Sequence, residues 1–264
     1  MQPEIGPVKT FGVMFALAFI ACGAMAWRRF QELGKPTDWA YEVVFSALVG
    51  GLVGARLYYL IQHPGEFGLS GIFSGSGLVF YGGAVGGAAG VLLWCWWRGM
   101  LNGFMLDMGG IGLAIGYSIG RMGCQLSGDG DYGTPTSLPW GMAYPKGTVP
   151  TTVDVHPTPI YETVSMGLVA WLLWRWRDRF APGAVFGFYL IFAGIERFLV
   201  EFIRRNADDV AGLTAAQLWS IGFFLAGFLV LIAATRRNGG DLMRSSPPPG
   251  VTPKTAGVAV GSKA

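Results

Sequence analysis

Apolar residues in this chain gather into long blocks separated by short polar breaks. Windows of about 20 apolar residues, the length that crosses roughly 30 Å of hydrocarbon at 1.5 Å per residue, recur at about 11–27, 40–61, 78–97, 104–123, 160–174, 184–203 and 215–235. The pattern predicts an all-α integral membrane protein of about seven transmembrane helices. The second, fourth and sixth blocks stand apart because each carries charge.

The stretch "GRMGCQLSGDGDYG" ends the fourth block on an arginine and passes at once into glycines, a cysteine, a serine and aspartates. Residues 124–157 are rich in Gly, Pro, Ser, Thr and Asp, and "TPTSLPWGMAYPKG" within them has the composition of turns and short extended pieces. That predicts a small compact cap between helices 4 and 5. The chain re-enters the bundle through "HPTPIYE", where Pro157 and Pro159 suit a helix start and His156, Tyr161 and Glu162 are polar groups delivered to the surface. Residues 238–264 are low in large apolar residues and rich in Pro, Gly and Ser, so a membrane domain over 1–237 is expected to be followed by a disordered tail.

Composition supports the membrane assignment: 52% of residues are hydrophobic, 13% are charged and the mean hydropathy is +0.45. The first block is read as an uncleaved helix, because its positive flank, Arg28 and Arg29, follows the apolar run instead of preceding it. With the N-terminus outside, the inner loops hold Arg28, Arg29, Lys35, Arg98, Arg175, Arg177, Arg179, Arg236 and Arg237, and the outer side holds Lys9, Lys146, Arg204 and Arg205. The positive-inside rule then predicts N-out, C-in. A bilayer is the expected surroundings, and no nucleic-acid partner is expected.

Three arginines remain inside the blocks: Arg56, Arg121 and Arg197. In the N-out arrangement each lies in the outer half of its helix. A charge in a span costs at least about 2.5–3.5 kcal/mol on insertion scales and usually marks a site. Snorkelling to the headgroups is the alternative, most natural for Arg121 at a helix end. A guanidinium fork suits phosphate oxygens, and phosphate at that depth points to a phospholipid. Glu201 lies one turn after Arg197 and can orient it, or the two can neutralise each other as a structural pair.

Cys22, Cys95 and Cys124 are scattered, and only His63 and His156 accompany them, so no metal site is expected. Cys22 and Cys95 are expected to be packing residues. Among 42 glycines, the runs "VGGLVGA" and "YGGAVGGAAG" resemble small-residue faces for close helix packing. Gly82 and Gly83, beside Tyr81, are the exceptions where a lipid could approach backbone.

Taken in order, "VGARLYYL", "FYGGAVGG", "GRMGCQLSGDGDYG", "PWGMAYP", "HPTPIYE" and "ERFLVEFIR" resemble the prolipoprotein diacylglyceryl transferases of bacteria, from about Phe11 to Arg237. The resemblance implies an inner-membrane, multi-pass enzyme with a periplasmic cap and a site toward the outer leaflet. It also implies the first step of lipoprotein biosynthesis, protein lipidation by diacylglyceryl transfer. Phosphatidylglycerol donates its diacylglyceryl group to the lipobox cysteine of a prolipoprotein signal peptide, leaving a thioether and glycerol phosphate, with no cofactor. Matched residue by residue, the signature arginine falls on Arg121, its acidic partner on Asp129, and the late arginine and glutamate on Arg197 and Glu201. Arg56 matches the arginine of the second helix, and His156, Tyr161 and Glu162 match the block that opens the fifth. The resemblance and the residues together assign catalysis to Arg121, Arg197, Glu201, Asp129, Tyr81 and His156. Lipid binding falls to Arg121, Arg197, Arg56, Cys124, Ser127, Gly82, Gly83, Tyr161 and Glu162.

Four departures fall at the site. Phe11, Tyr81 and Cys124 stand where tyrosine, histidine and asparagine are more usual, and one extra residue around Asp131 prevents Asp129 and Gly133 from both aligning. Two other functions fit the residues: a transferase of the same fold with another acceptor, and an anion or lipid transporter. Transport leaves the lipid covalently unchanged, so product mass separates it from transfer.

Overall fold

The structure, a computed structural model, describes residues 3–5, 8–64, 79–206 and 212–244. Seven helices occur among them: α1 (Thr10–Glu32), α2 (Trp39–Gln62), α3 (Phe80–Trp97), α4 (Gly103–Ser127), α5 (Thr158–Trp176), α6 (Ala184–Glu201) and α7 (Ala215–Arg237). Each falls on one expected block. Three of them, α1, α2 and α7, are long and apolar enough to cross a membrane on length and composition. Two short antiparallel hairpins complete the fold: β1 (Glu4–Ile5) with β2 (Val8–Lys9), and β3 (Met142–Tyr144) with β4 (Thr151–Val155).

Helix ends depart from the apolar blocks where polar side chains hold the backbone. Charge carries α1 beyond the expected end at 27. Buried Arg29 reaches Glu32 at 3.0 Å and Asp178 at 2.8 Å, and Arg177 grips Glu32 through Nε and Nη2, both at 2.9 Å. These pairs fasten the end of α1 to the end of α5. Helix α4 starts on Asn102, whose side chain accepts from the Phe104 and Met105 amides, and ends on Gly128 in the left-handed region (φ 59°). Asp107 caps a different helix: its carboxylate accepts from the amides of Gly183 (2.9 Å) and Phe186 (3.0 Å) at the start of α6.

Helix α4 is the hub, packing on α1, α5 and α6, while α2 lies against α3 and α1, and α7 lies against α6. Ile111, Ala114, Met166, Leu173 and Val185 fill the space between α4, α5 and α6. Ser118 Oγ donates to the Thr163 carbonyl (2.8 Å), and Thr163 Oγ1 returns the bond to the Ser118 carbonyl (3.1 Å). This reciprocal pair of bonds fixes the level of α4 against α5.

Glycine sets the closest crossings. A Cβ on Gly54 would press into the Gly82 carbonyl and meet Gly86 Cα at 2.7 Å, so α2 and α3 touch backbone to backbone. Gly82 is therefore a packing position. The notch expected there for a lipid is filled by α2, and Gly83 also faces that helix, with Ala55 Cβ 3.5 Å from where its own Cβ would stand.

Residues 238–244, expected to begin a disordered tail, turn back onto the α5–α6 connection. Ala181 N donates to the Leu242 carbonyl and Arg244 N to the Arg179 carbonyl, both at 2.9 Å. Residues 245–264 lie outside the described residues.

Gly54→Ala should lower thermal stability in detergent by about 1–3 kcal/mol, because the added methyl must separate α2 from α3. Gly109, with nothing within 4 Å of an added Cβ, is the control: Gly109→Ala should hold or raise stability by about 0.5–1 kcal/mol. Equal melting of the two variants would contradict the close crossing.

Candidate active site

The fourth helix presents Tyr117 and Arg121 one turn apart, with the guanidinium 5.0 Å above the tyrosine ring. The fifth helix starts at Thr158, after Pro157, and this brings Glu162 to the same level just past its first turn. The Glu162 side chain is fully buried. A lone carboxylate there would be strongly disfavoured, so its surroundings must supply positive charge and hydrogen bonds.

Four groups do so. Tyr117 OH donates to Glu162 Oε1 at 3.0 Å, and Arg121 Nε stands 3.2 Å from Oε2. Arg204 Nη1 lies 3.4 Å from Oε1, and Arg197 Nη1 lies 3.9 Å from the same oxygen. Three guanidinium groups thus surround one carboxylate.

The outer layer of the cluster is Asp131. Its Oδ2 pairs with Arg121 Nη1 and its Oδ1 with Arg204 Nη2 at 2.5 Å, so one short carboxylate bridges two arginines. Burial alone would push the Asp131 carboxyl up, but Arg204 and Arg121 beside it hold it below the ordinary carboxylate value. Its backbone carbonyl accepts from Thr158 Oγ1 at 2.6 Å, which ties the loop to the start of α5.

Arg197 has a second partner, Glu201 Oε2 at 2.7 Å, the i,i+4 pair expected from the sequence. Glu201 is locked in turn. Its Oε1 accepts from Asn206 Nδ2 (2.6 Å) and from Thr214 Oγ1 (2.8 Å), and Thr214 is also the N-cap of α7. After Glu201 the helix tightens into three-residue turns, with Arg204 N donating to the Glu201 carbonyl at 3.2 Å. This swings Arg204 toward the loop.

The cap covers this end. Strands β3 and β4 enclose Tyr132, Tyr144 and Val155, with the two tyrosine rings stacked at 4.7 Å. Tyr144 OH donates to Gln125 Oε1 (2.9 Å) on α4, and Thr134 N donates to the Ile203 carbonyl (2.8 Å) after α6. Ser127 is buried. Its hydroxyl donates to the Gly123 carbonyl (2.9 Å), and its own carbonyl accepts from Thr148 N (2.9 Å), so it fixes the cap to α4 and does not face the arginines.

The expected residues therefore separate. Arg121, Arg197, Glu201 and Glu162 meet in one cluster. Asp129, expected as the acidic partner of Arg121, does not pair with it; its Oδ1 accepts from the Asp131 amide at 3.3 Å, and Asp131 holds the arginine instead. The loop places the second acid of the stretch, not the first, against Arg121. Arg56 is buried on α2 with its guanidinium 4.9 Å above the Tyr59 ring, and Tyr81 is exposed at the start of α3. The described contacts at Glu162 come from α4, α6 and the segment after α6, and none from α2 or α3. His156 lies at the edge of the cap, its Nδ1 3.4 Å from Tyr161 OH, which also accepts from Trp140 Nε1 at 2.8 Å.

Cys124 is buried one turn after Arg121, and its sulfur lies with carboxylate oxygens of Asp129 and Asp131, all within 4.8 Å of one another. Asp131 is already held by two arginines, whose charge opposes a cation there.

Tyr117, Arg204 and Glu196 of the cluster are not among the residues that the sequence pattern singles out. Arg204 was assigned to the outer loop, yet its distance of seven residues from Arg197 is two helical turns, which keeps both on one face. Glu196, adjacent to Arg197 and partly buried on α6, was passed over among the apolar residues around it.

Comparison with known proteins returns one consistent result. A profile described as "Prolipoprotein diacylglyceryl transferase" matches residues 3–233. Proteins named phosphatidylglycerol–prolipoprotein diacylglyceryl transferase are similar over nearly their whole length. That of Clostridium tetani is 31% identical over 83% of this chain and 90% of its own. That of Geobacter sulfurreducens is 32% identical over 90% of this chain and 98% of its own. That of Methylococcus capsulatus is 32% identical over 89% of this chain and 95% of its own.

Glu162→Gln should destabilise the protein by about 3–5 kcal/mol, because it leaves three partly buried arginines without their shared, fully buried anion. Tyr117→Phe, which removes one hydrogen bond, should cost only about 0.5–1.5 kcal/mol. Thermal melts in detergent give both numbers, and a Glu162→Gln protein as stable as the parent would contradict the hub role.

Proposed function

The chain belongs to the prolipoprotein diacylglyceryl transferase family, and from that premise we propose that it moves the diacylglyceryl group of phosphatidylglycerol onto the lipobox cysteine of a prolipoprotein signal peptide. The cysteine sulfur bonds to the glycerol carbon that carries the phosphate ester. The carbon–oxygen bond to phosphate breaks, and glycerol phosphate leaves with the electron pair. The thiol proton passes to a base, and the reaction as written uses no cofactor.

The observation that carries this reading is the convergence of Arg121, Arg197 and Arg204 on Glu162 at one end of an apolar bundle, beneath a polar cap. Charge growing on the leaving phosphate needs fixed cations in a site shielded from water. Arg121 and Arg204 face the loop and would hold the phosphate oxygens, with Arg197 behind them fixed by Glu201. Glu162 and Tyr117 orient the arginines. Of the two bases expected, His156 stands at the cap beside Tyr161, and Tyr81 opens α3. Cys124 is a packing substitute, because transfer to the acceptor thiol needs no enzyme nucleophile.

We assign all seven helices to the bilayer, with the cap outside in the periplasm and the arginine-rich end inside. Exposed side chains along the helices, among them Phe15, Ile20, Leu52, Leu93, Trp171 and Leu229, form the apolar exterior that lipid requires. The basic residues of the Arg29 and Arg177 end support the orientation.

Purified protein incubated with phosphatidylglycerol and a lipobox peptide should add the diacylglyceryl mass to the peptide. Arg121→Lys should lower the rate by roughly 100-fold or more although charge is kept, because the guanidinium fork is lost. An unchanged peptide mass with wild-type protein would overturn the assignment. Topology has a separate check: in intact cells a cysteine at exposed Lys146 should react with an impermeant maleimide and one at exposed Arg179 should not. Reaction at 179 alone would reverse the orientation.

A further inference from the structure

Resting on the donor-lipid assignment above, we infer that Asp131 is an internal counter-ion that takes the phosphate position until the lipid displaces it. Its two oxygens each take one arginine, Arg121 and Arg204. Two oxygens shared between two guanidinium groups is also how a phosphodiester would sit there.

Charge counting makes the displacement necessary. The three arginines are already matched by three directly paired carboxylates, Asp131, Glu162 and Glu201, and Glu196 is a fourth acid beside them on α6. A phosphodiester brings one more negative charge. Adding it with every carboxylate in place would set like charges side by side in a partly buried cluster, where their repulsion is poorly screened. One carboxylate has to leave.

Burial and fastening decide which. Glu162 is fully buried among Tyr117 and the three arginines. Glu201 is fully buried and held by Asn206 and Thr214 as well as Arg197. The Asp131 side chain is 32% exposed and is held by the two guanidinium groups that the phosphate would take over, with the weak donor Cys124 beside it. Its backbone is fastened separately, through the Thr158 hydroxyl at 2.6 Å. The side chain can therefore turn outward about its own dihedrals while the cap stays docked. Asp131 keeps two arginines satisfied, and on lipid binding it gives way to a ligand of the same charge.

The consequence is a negative charge that competes with substrate, so removing it should tighten lipid binding. With phosphatidylglycerol in mixed micelles and a lipobox peptide as acceptor, Asp131→Asn and Asp131→Ser should each lower KM for the lipid by roughly three- to tenfold. Asp131→Glu, which keeps the charge, should not lower it. Equal or higher KM in both neutral variants would overturn the inference. So would failure of both to accumulate while Asp131→Glu accumulates, since that would make the carboxylate a structural partner. If the wild-type protein transfers no lipid, the donor-lipid assignment fails by itself. Native mass spectrometry of phosphatidylglycerol bound to the wild-type and Asp131→Asn proteins then decides the counter-ion role, with weaker or equal retention in the variant contradicting it.

Discussion

A carboxylate at Glu162, fully buried where three helices meet, constrains the rest of this structure. It can stay charged there only if cations and donors are carried to it, and they arrive on three parts of the chain. Arg121 and Tyr117 come on α4, Arg197 on α6, and Arg204 on the turns after α6. The helices must therefore end at one level, and the Gly128 termination of α4 and the Pro157 entry to α5 make that possible. The reciprocal Ser118 and Thr163 bonds keep α4 and α5 in register beneath it. The cap then closes over an end that is already fixed.

Charge at the opposite end has a different role. Arg29, Glu32, Arg177 and Asp178 pair among themselves and bind α1 to α5, and Arg98 pairs with Glu42, joining the end of α3 to the start of α2. Arg28, Arg29 and Arg177 share Glu32 there, a carboxylate that stays 23% exposed. The site end differs because its cations converge from α4, α6 and the following turns on one buried anion with a loop carboxylate above it. Full burial of the shared anion is what separates the site from the anchor.

The helices were legible because long apolar blocks have one interpretation, and all seven blocks hold a helix. Arg121, Arg197, Glu201 and Glu162 were legible as polar residues placed against that background. Arg204 was missed because a hydropathy boundary at Glu201 does not register that the helical face continues through one more turn. Asp131 was given to Asp129 because spacing along a loop does not determine its path. Gly128 (φ 59°) and Gly130 (φ 95°) bend the chain in the left-handed region, and the second aspartate, not the first, comes to lie over Arg121. Asp107 capping α6 across the bundle is also invisible to local pattern, since its partners lie more than seventy residues away. Gly82 shows the reverse case: beside Tyr81 it is expected to be an exception to the packing pattern, open to lipid, and the Gly54 contact makes it a packing position like its neighbours.

The central claim is that this cluster holds a lipid phosphate. An experimental structure of the protein with phosphatidylglycerol in a lipid nanodisc tests it most directly. The account predicts phosphate oxygens within hydrogen-bond distance of Arg121 and Arg204, with Glu162 still buried behind them. A lipid phosphate bound elsewhere, with Asp131 still bridging the two arginines, would contradict it.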